Sequence, residues 1–381
     1  MNTCQILFAL LRMQICGADM SEMIRKELTP QMLKEVYSLA LEHDMAHLAG
    51  QALSELGYLG EDETSQKLKK QAMLAVYRHA RMEHEYQRIC ATLEECKVAY
   101  LPLKGAVLRN FYPEPWMRPS CDIDILVKKE CVDRAVLALT DKLGYRKGER
   151  FSYDVSLYSP SGVHLELHFD VQERKEKAVA QKIWDDASSQ EGLYRQKMSD
   201  AMFYWYHIFH MAKHMEDGGC GIKPFLDLWI LNHRVECDRQ NCENLLAESG
   251  LLKFAKAAEK LAEVWFSGAQ VDSLTTQLEM FILTGGVYGS LKNSVAVKHN
   301  KTGGMLGFAI YKIFLPYDVI KYHYPVLQKH KWLLPICQMR RWGRLICSGK
   351  VGNYIKAVNE DAGTDTQTRA AMQQMMKDLG L

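Results

Sequence analysis

The chain has 381 residues, of which 48% are apolar and 25% charged, the proportions of an ordinary globular protein with two or three modules. Its 48 Lys and Arg residues are balanced by 46 Asp and Glu residues, and this net charge of +2 argues against general electrostatic binding of nucleic acid or of an anionic membrane. The apolar runs are shorter than the roughly 18–20 residues that cross a bilayer, so we expect no membrane span. Eleven cysteines without a Cys-x-x-Cys pair argue against a zinc ribbon and favour a cytoplasmic location.

The N-terminal region, residues 1–92, is predicted to be helical. The apolar run Ile6–Leu11 has neither a preceding positive charge nor a following cleavage site, so it predicts an amphipathic helix and not a signal peptide. Apolar residues then recur every three or four positions from Met32 to Leu56. After a turn at 57–63, a long charged helix is predicted through Met73 to Ile89.

Strands and helices are predicted to alternate in the middle of the chain, residues 93–176. The predicted strands are Val98–Leu103, Ile123–Val127, Val155–Ser159 and Val163–Phe169. The last two alternate apolar and polar residues around Pro160–Gly162, which predicts a hairpin. Helices are expected to begin at Ala106 and to cover Val132–Leu143, where Gly144 supplies a common C-terminal stop.

The C-terminal region, residues 177–381, is again predicted to be helical. Dense apolar periodicity covers Phe203–Met215, Phe225–Leu231, Leu245–Phe266 and Leu274–Leu283. Two loops, 298–304 and 361–366, are predicted to be flexible. The sequence therefore predicts an α+β fold in which a small mixed β-sheet core is flanked by N-terminal and C-terminal helical regions.

Acidic residues are concentrated on two of the predicted strands. Asp122 and Asp124 are two residues apart, so on a strand both project from one face while Ile123 points to the core. Glu166 and His168 share the polar face of a later strand in the same way. Clustered carboxylates repel each other unless a cation lies between them, and Mg²⁺ prefers such oxygen ligands. Three carboxylates on adjacent strands predict a site for two metal ions.

A turn rich in small residues precedes these acids. Lys104 and Gly105 lie where a predicted strand gives way to a helix. Glycine lets a backbone approach a phosphate closely, a helix N-terminus offers free N–H groups, and Lys104 adds a positive charge. Lys104 could instead pair with Glu94 or Glu95 on the preceding helix.

The order of these motifs resembles the DNA polymerase beta-type nucleotidyltransferase superfamily. The segments Leu101–Ala106, Arg118–Val127 and Leu165–His168 resemble more narrowly its branch of uncharacterised bacterial nucleotidyltransferases. Softer similarities continue through most of the chain. They are found at His210–His214, Phe225–Leu228, Trp332–Pro335, Arg340 and Arg341.

This resemblance implies that the chain transfers a nucleoside monophosphate from an NTP such as ATP to an acceptor, with Mg²⁺ or Mn²⁺ as cofactor. Asp122 and Asp124 would bind the metal ions, and Glu166 would help to bind the catalytic one and activate the acceptor hydroxyl. One departure concerns the phosphate-binding turn. Most of the superfamily has Gly or Ser after the turn glycine, whereas this chain has Ala106 and lacks that hydroxyl.

Other residues are candidates for nucleotide binding, each with a structural alternative. Arg118 could bind the triphosphate or cap a loop. His168 could contact a phosphate or lie at the edge of the core. His210 and His214 could face the nucleotide or pack within the helices. A zinc site formed with His207 is disfavoured, because no carboxylate or cysteine accompanies these histidines.

Residues 321–350 contain seven Lys or Arg residues, interleaved aromatics and no acid. Nucleic acid or an anionic lipid could bind there, but the solvated face of amphipathic helices is favoured. We therefore expect a nucleotidyltransferase acting on a small molecule or a protein side chain. The alternatives are a catalytically idle nucleotide-binding regulatory module, which has no need of three acids, and an RNA-modifying transferase, which the basic stretch alone supports.

Overall fold

The computed structural model describes residues 2–151, 153–171, 177–189, 193–287, 289, 293, 313–317, 320–321, 324, 326–347 and 366–381. The segment 298–304 and all but the last residue of 361–366, both predicted to be flexible, lie outside these residues. So does part of the basic stretch 321–350.

The N-terminal part of the chain is helical, as predicted. The helices are α1 Thr3–Leu11, α2 Ser21–Glu27, α3 Pro30–Glu42, α4 Ala46–Glu55 and α5 Glu63–Glu95, with a π-helical turn at Arg12–Cys16. The long helix α5 begins where the side chain of Asp62 accepts hydrogen bonds from the backbone N–H groups of Thr64 and Ser65.

The first helix is not amphipathic, which corrects the prediction for this segment. All six residues of Ile6–Leu11 are buried. Phe8 stacks on Trp265 with 4.7 Å between ring centroids, and Arg12 donates hydrogen bonds to the carbonyls of Val264 and Trp265. Helices α3 and α4 and the helix that carries Trp265 contact α1, so the run Ile6–Leu11 is enclosed by protein and needs no polar face.

A five-stranded mixed sheet follows α5. Its strands are β1 Tyr100–Pro102, β2 Asp122–Val127, β3 Arg146–Arg150, β4 Asp154–Tyr158 and β5 His164–His168. They are arranged in the order β1-β2-β5-β4-β3, and β2 and β5 are parallel while the other pairs are antiparallel. The hairpin of β4 and β5 was predicted. The edge strand β3 was not, because its five residues are all exposed and show no alternation of apolar and polar types.

One face of the sheet is covered by helices. Helix α6, Gly105–Leu108, is short, and α7, Val132–Leu143, ends at Gly144, whose φ of +69° suits glycine. Buried side chains of α5 and α7 pack against Ile123, Ile125 and Val127 of β2. This packing leaves the face that carries Asp122 and Asp124 turned away from these two helices.

The C-terminal part is helical, which confirms the α+β class in which helical regions precede and follow the sheet along the chain. The helices are α8 Lys177–Ala180, α9 Ile183–Asp186, α10 Asp200–Asp217, α11 Lys223–Arg234, α12 Arg239–Glu248, α13 Leu252–Ser267, α14 Ser273–Leu283, and then Val326–Lys329, Leu334–Cys347 and Thr366–Leu379. The two-residue strands Ser188–Ser189 and Gln196–Lys197 pair between α9 and α10. The apolar period over Leu245–Phe266 is divided between α12 and α13, which are separated at 249–251. Among the residues described, no helix has the length and hydropathy needed to cross a membrane.

Candidate functional site

The pairing of three neighbouring strands brings the acidic residues together. In the parallel register of β2 and β5, Asp124 lies opposite Glu166 and Asp122 lies opposite His164. In the antiparallel register of β5 and β4, His168 lies opposite Asp154. Directly opposed residues share a face of a sheet, so these side chains all project from the face opposite to α5 and α7.

Asp124 is at the centre of this cluster and is 3% exposed. Its Oδ1 atom accepts hydrogen bonds from Nζ of Lys104 at 2.6 Å and from Nε2 of His168 at 3.0 Å. Burial alone would raise the pKa of Asp124, but the Lys104 ammonium and the His168 hydrogen bond outweigh it and hold this pKa below its usual range. Asp124 is therefore ionised and already carries a protein cation.

Lys104 reaches Asp124 because its backbone is in an unusual conformation. Its φ is +43° and its ψ is −119°, values that a residue with a side chain adopts at a cost of roughly 1–3 kcal/mol. On either side of this turn, the N–H of Leu103 donates to the carbonyl of Asp124 at 3.0 Å, and the N–H of Val107 donates to the carbonyl of Lys104 at 3.1 Å. Burial lowers the pKa of Lys104, but the neighbouring Asp124 carboxylate raises it by more, so the ammonium stays protonated.

The alternative pairing of Lys104 with Glu94 or Glu95 is wrong. Glu94 accepts hydrogen bonds from the backbone N–H groups of Tyr194 and Arg195, and Glu95 pairs with Lys142. Both acids lie at the far end of α5, where they hold other segments of the chain.

Gly105 lies against the loop that leads into β2. A Cβ atom on Gly105 would come within 2.1 Å of Oγ of Ser120 and 2.9 Å of Nη1 of Arg118. This hydroxyl belongs to a different part of the chain from the residue after the turn glycine, where Ala106 lacks one. Sequence spacing gave no sign that Ser120 would lie here.

The guanidinium of Arg118 is hydrogen-bonded to other groups of the protein. Its Nε and Nη2 atoms donate to the two carboxylate oxygens of Asp227 at 3.1 and 2.8 Å, and its Nη1 donates to the Pro119 carbonyl and to Oγ of Ser120. Tyr112 also donates to Asp227, which is fully buried. The guanidinium thus fastens the approach to β2 onto α11, and this contact positions Asp122.

The side of the site opposite the sheet is formed by α10. A cavity of about 400 Å³ lies between them and is lined by all nine residues predicted for the site. These residues are Lys104, Gly105, Arg118, Asp122, Asp124, Glu166, His168, His210 and His214. Strand pairing and the position of α10 therefore bring every predicted residue to one cavity.

His210 and His214 form a hydrogen-bonded pair on α10, with 3.3 Å between their Nε2 atoms. Burial and then the charge of Lys104 lower the pKa of both rings, that of His214 to about 4. Both are neutral at pH 7 and can donate or accept a hydrogen bond. His207 instead contacts the Pro224 carbonyl at 2.9 Å.

The remaining acids of the cluster have different proton affinities. Burial and then the charge of Asp124 raise the pKa of Asp122 to about 6. A hydrogen bond from His168 lowers the pKa of Glu166. Burial opposes protonation of His168, but its hydrogen bonds to Asp124 and Glu166 raise its pKa overall. Asp122 is therefore the carboxylate with the least compensation.

The donor set suits a divalent cation. Among the residues described, two groups have ligand atoms within 4.8 Å of one another, one formed by Asp122, His164 and Glu166 and the other by Asp124, Glu166 and His168. Nε2 of His164 and Oδ1 of Asp154 are buried without a hydrogen-bond partner. A cation placed at this sheet face would satisfy such atoms. The zinc grouping of His207, His210 and His214 is not among these clusters.

The sequence analysis did not identify several residues at or beside the cavity. Asp154, which lines the cavity, and His164, which lies beside Asp122, alternate with apolar residues on β4 and β5, so the period of two that identified Glu166 could have found them. Tyr206 and Lys213 also line the cavity from α10, and no motif or spacing in the sequence distinguished them.

Substitution of Gly105 tests the close contact with Ser120. Gly105→Ala should reduce the free energy of unfolding by about 1–3 kcal/mol, because the new Cβ displaces the Ser120 hydroxyl from its hydrogen bond with Arg118. Urea denaturation measures this loss. Adding Ser120→Gly should recover part of it, and Gly60→Ala is the control because its Cβ would meet nothing nearer than 3.7 Å. A Gly105→Ala protein as stable as wild type would contradict the contact.

Removing the charge of Asp122 should stabilise the folded protein by an amount that depends on pH. Because its pKa is raised to about 6, ionised Asp122 destabilises the folded metal-free protein above that pH and has no such effect below about pH 4. Asp122→Asn should therefore stabilise the chelator-treated protein at pH 7.5 by an amount on the order of 1–3 kcal/mol, and by little at pH 4.5. Thermal melts at the two pH values measure this, with the exposed Asp141→Asn as control. A gain that is equal at both pH values would exclude this origin.

Comparison with known proteins agrees with the family suggested by the motifs. The sequence model of one family, described as "Uncharacterised nucleotidyltransferase", matches residues 30–267. That range contains the sheet, the acidic cluster and helix α10, and the description carries no statement of a bacterial origin. No curated protein and no solved structure matches the chain. Since the match covers more than half of the sequence, the chain belongs to this family of uncharacterised nucleotidyltransferases.

Proposed function

We propose that this protein transfers a nucleoside monophosphate from an NTP, such as ATP, to a hydroxyl group of a small molecule or a protein side chain. One observation carries the proposal. Asp122, Asp124 and Glu166 project from paired strands into a single cavity of about 400 Å³, and Lys104 lies on the same cavity wall. A cavity of this size suits a nucleotide-sized ligand.

The proposed cofactor is Mg²⁺ or Mn²⁺, and Asp122, Asp124 and Glu166 are the residues that would hold it. A bound divalent ion would neutralise charge on the attacking and leaving oxygens of the transfer. The close spacing of these carboxylates, of which Asp124 is buried and Asp122 and Glu166 are half-buried, supports this assignment, because they need more positive charge than Lys104 alone provides.

Lys104 and Gly105 are the proposed triphosphate contacts. Helix α6 has only four residues, so its dipole contributes little, and the ammonium of Lys104 supplies most of the attraction. The absence of a Cβ at Gly105 lets the Ser120 hydroxyl and the Arg118 guanidinium lie against the turn, so the proposed phosphate contact of Gly105 is made through its backbone. We propose that Arg118 positions the approach to β2, since four of its hydrogen bonds are made within the protein.

The reaction requires one proton transfer. The acceptor hydroxyl oxygen bonds to the α-phosphorus, the bond from that phosphorus to its β-bridging oxygen breaks, and pyrophosphate leaves. We propose that Glu166 accepts the hydroxyl proton, because a carboxylate whose pKa is lowered is ionised at neutral pH. Nε2 of His168, 3.4 Å from Oε2 of Glu166 and 3.0 Å from Oδ1 of Asp124, holds both carboxylates in place.

His210 and His214 are proposed to contact the nucleotide from the opposite side of the cavity. Their neutral rings can donate to or accept from a base or sugar without repelling a cation at the acidic face. Nucleic acid is not the favoured acceptor. One cation of the basic stretch, Arg341, is 7% exposed and donates to the carbonyl of Ile313.

Loss of either aspartate should stop the transfer. Asp122→Ala and Asp124→Asn should each reduce pyrophosphate release by at least about a hundredfold, because each removes charge from the proposed metal site. Asparagine is preferred at position 124, since alanine would leave the Lys104 ammonium without its partner. Pyrophosphate release with each NTP, Mg²⁺ and cell extract gives the measurement. Asp133→Ala removes an exposed carboxylate on α7 and should retain activity; near-normal turnover in either site variant would refute the assignment.

Removal of the Lys104 charge should weaken NTP binding. A charged hydrogen bond in a partly dry site contributes roughly 1.5–3 kcal/mol, or about ten- to a hundredfold in affinity. Lys104→Gly is the sharper variant, because glycine adopts the φ of +43° without strain. Calorimetric titration with NTP and Mg²⁺ measures the dissociation constant, and Lys142→Ala, at an exposed lysine on α7, is the control. An unchanged constant in both Lys104→Gly and Lys104→Ala would exclude the phosphate contact.

A further inference from the structure

The two ligand groups on the sheet face share Glu166 but differ in what already neutralises them. In the group of Asp124, Glu166 and His168, the Oδ1 atom of Asp124 is occupied by Nζ of Lys104 at 2.6 Å. In the group of Asp122, His164 and Glu166, Nε2 of His168 lies 3.4 Å from Glu166, but among the residues that the structure describes no lysine or arginine forms an ion pair with any of the three. Within the same residues, the Asp122 carboxylate accepts no hydrogen bond, and Nε2 of His164 is buried without a partner.

The ring of His164 is held in place on this face. It stacks on Tyr158 of β4, with 4.7 Å between centroids and 15° between ring planes, and the two residues are directly opposed in the strand register. Asp122 lies opposite His164 on the other side, across the parallel pairing with β2. The imidazole is therefore fixed beside the carboxylate before any ligand arrives, which is the arrangement that metal-binding histidines need.

The donor atoms of this group distinguish between metal ions. Mg²⁺ takes oxygen ligands almost entirely, whereas an imidazole nitrogen suits divalent transition metals. We propose that Asp122, His164 and Glu166 form a site for a divalent transition-metal ion, with His164 as a direct ligand, and that this site prefers such an ion to Mg²⁺. Mn²⁺, the transition metal of lowest general affinity, serves as the spectroscopic probe. The inference rests on the proposed function only in that Asp122 and Glu166 line the proposed reaction cavity.

Electron paramagnetic resonance of the metal-free, full-length protein tests the site without nucleotide. Titration with Mn²⁺ should show a bound ion, and pulsed measurements should show ¹⁴N coupling from a directly bound imidazole. Mg²⁺ should displace the bound Mn²⁺ only at an excess of about a hundredfold or more. A bound ion without nitrogen coupling, or displacement by Mg²⁺ at equal concentration, would overturn the proposal.

Variants identify which histidine is the ligand. His164→Gln should remove the ¹⁴N coupling and weaken Mn²⁺ binding at least about tenfold, since loss of outer partners alone costs 10- to 100-fold. His84→Gln, at an exposed histidine of α5, should change neither property. His164→Asp replaces nitrogen by oxygen and should restore binding with a shift in preference towards Mg²⁺, which also shows that the site still folds. Nitrogen coupling that survives in His164→Gln and disappears in His168→Gln would place the ion in the other group and refute the inference.

The outcome separates this inference from the proposed function. A protein that binds Mn²⁺ through His164 but releases no pyrophosphate with any NTP would refute the transferase and support the metal site. A protein that releases pyrophosphate and binds its metal without nitrogen coupling would support the transferase and refute the metal site.

Discussion

The site depends on the parallel pairing of β2 with β5. This register places Asp124 beside Glu166 and Asp122 beside His164, although the two strands are separated in sequence by α7 and two further strands. The residues between them on both strands, Ile123, Ile125, Leu165 and Leu167, are almost completely buried. A slip of one residue would turn these apolar side chains towards the cavity and the acids towards the core. The hydrophobic packing thus sets the position of every carboxylate in the cluster.

The ionisation of each acid in the cluster depends on how much positive charge lies beside it. Lys104 and His168 both contact one oxygen of Asp124, so this buried carboxylate is ionised and satisfied. Asp122 and Asp154 receive less compensating positive charge, and burial raises the pKa of each. A second ion pair, between Arg118 and Asp227, fixes the loop before β2 onto α11 from outside the cluster. The cavity therefore combines a neutralised centre with carboxylates that still lack a cation.

Periodicity in the sequence was sufficient to predict much of this arrangement. The two-residue spacing predicted that Asp122 and Asp124 share a face of one strand and that Glu166 and His168 share a face of another, and the stop at Gly144 and the hairpin of β4 and β5 were found at their predicted positions. Long-range contacts were not predictable in this way. The salt bridge of Lys104 depends on a turn with positive φ, and the burial of α1 depends on contact with α13, about 250 residues later in the chain. Strand β3 lacks an apolar face, so its pairing could not be read from its own residues.

Asp154 and His164 show a different limit. Their positions on the polar faces of two predicted strands were visible in the sequence, but only the register of β4, β5 and β2 brings Asp154 and His164 beside the acids of the site. A titratable residue on a polar strand face is usually solvated, and only the structure shows that an oxygen of Asp154 and a nitrogen of His164 are buried without partners. Tertiary burial, not residue type, separates them from ordinary surface groups.

The contact between Lys104 and Asp124 has a consequence for the order of binding. Any ion that takes Oδ1 of Asp124 must first displace an ammonium group that is only 21% exposed and has to find another anion. On the proposed function, the phosphates of a nucleotide would provide that anion, and binding of the nucleotide would free Oδ1 of Asp124 for the ion. By thermodynamic linkage, each ligand would then raise the affinity for the other by the same factor. Lys104 is thus a resident counter-ion, and it would keep this half of the site closed to free cations until a nucleotide arrives.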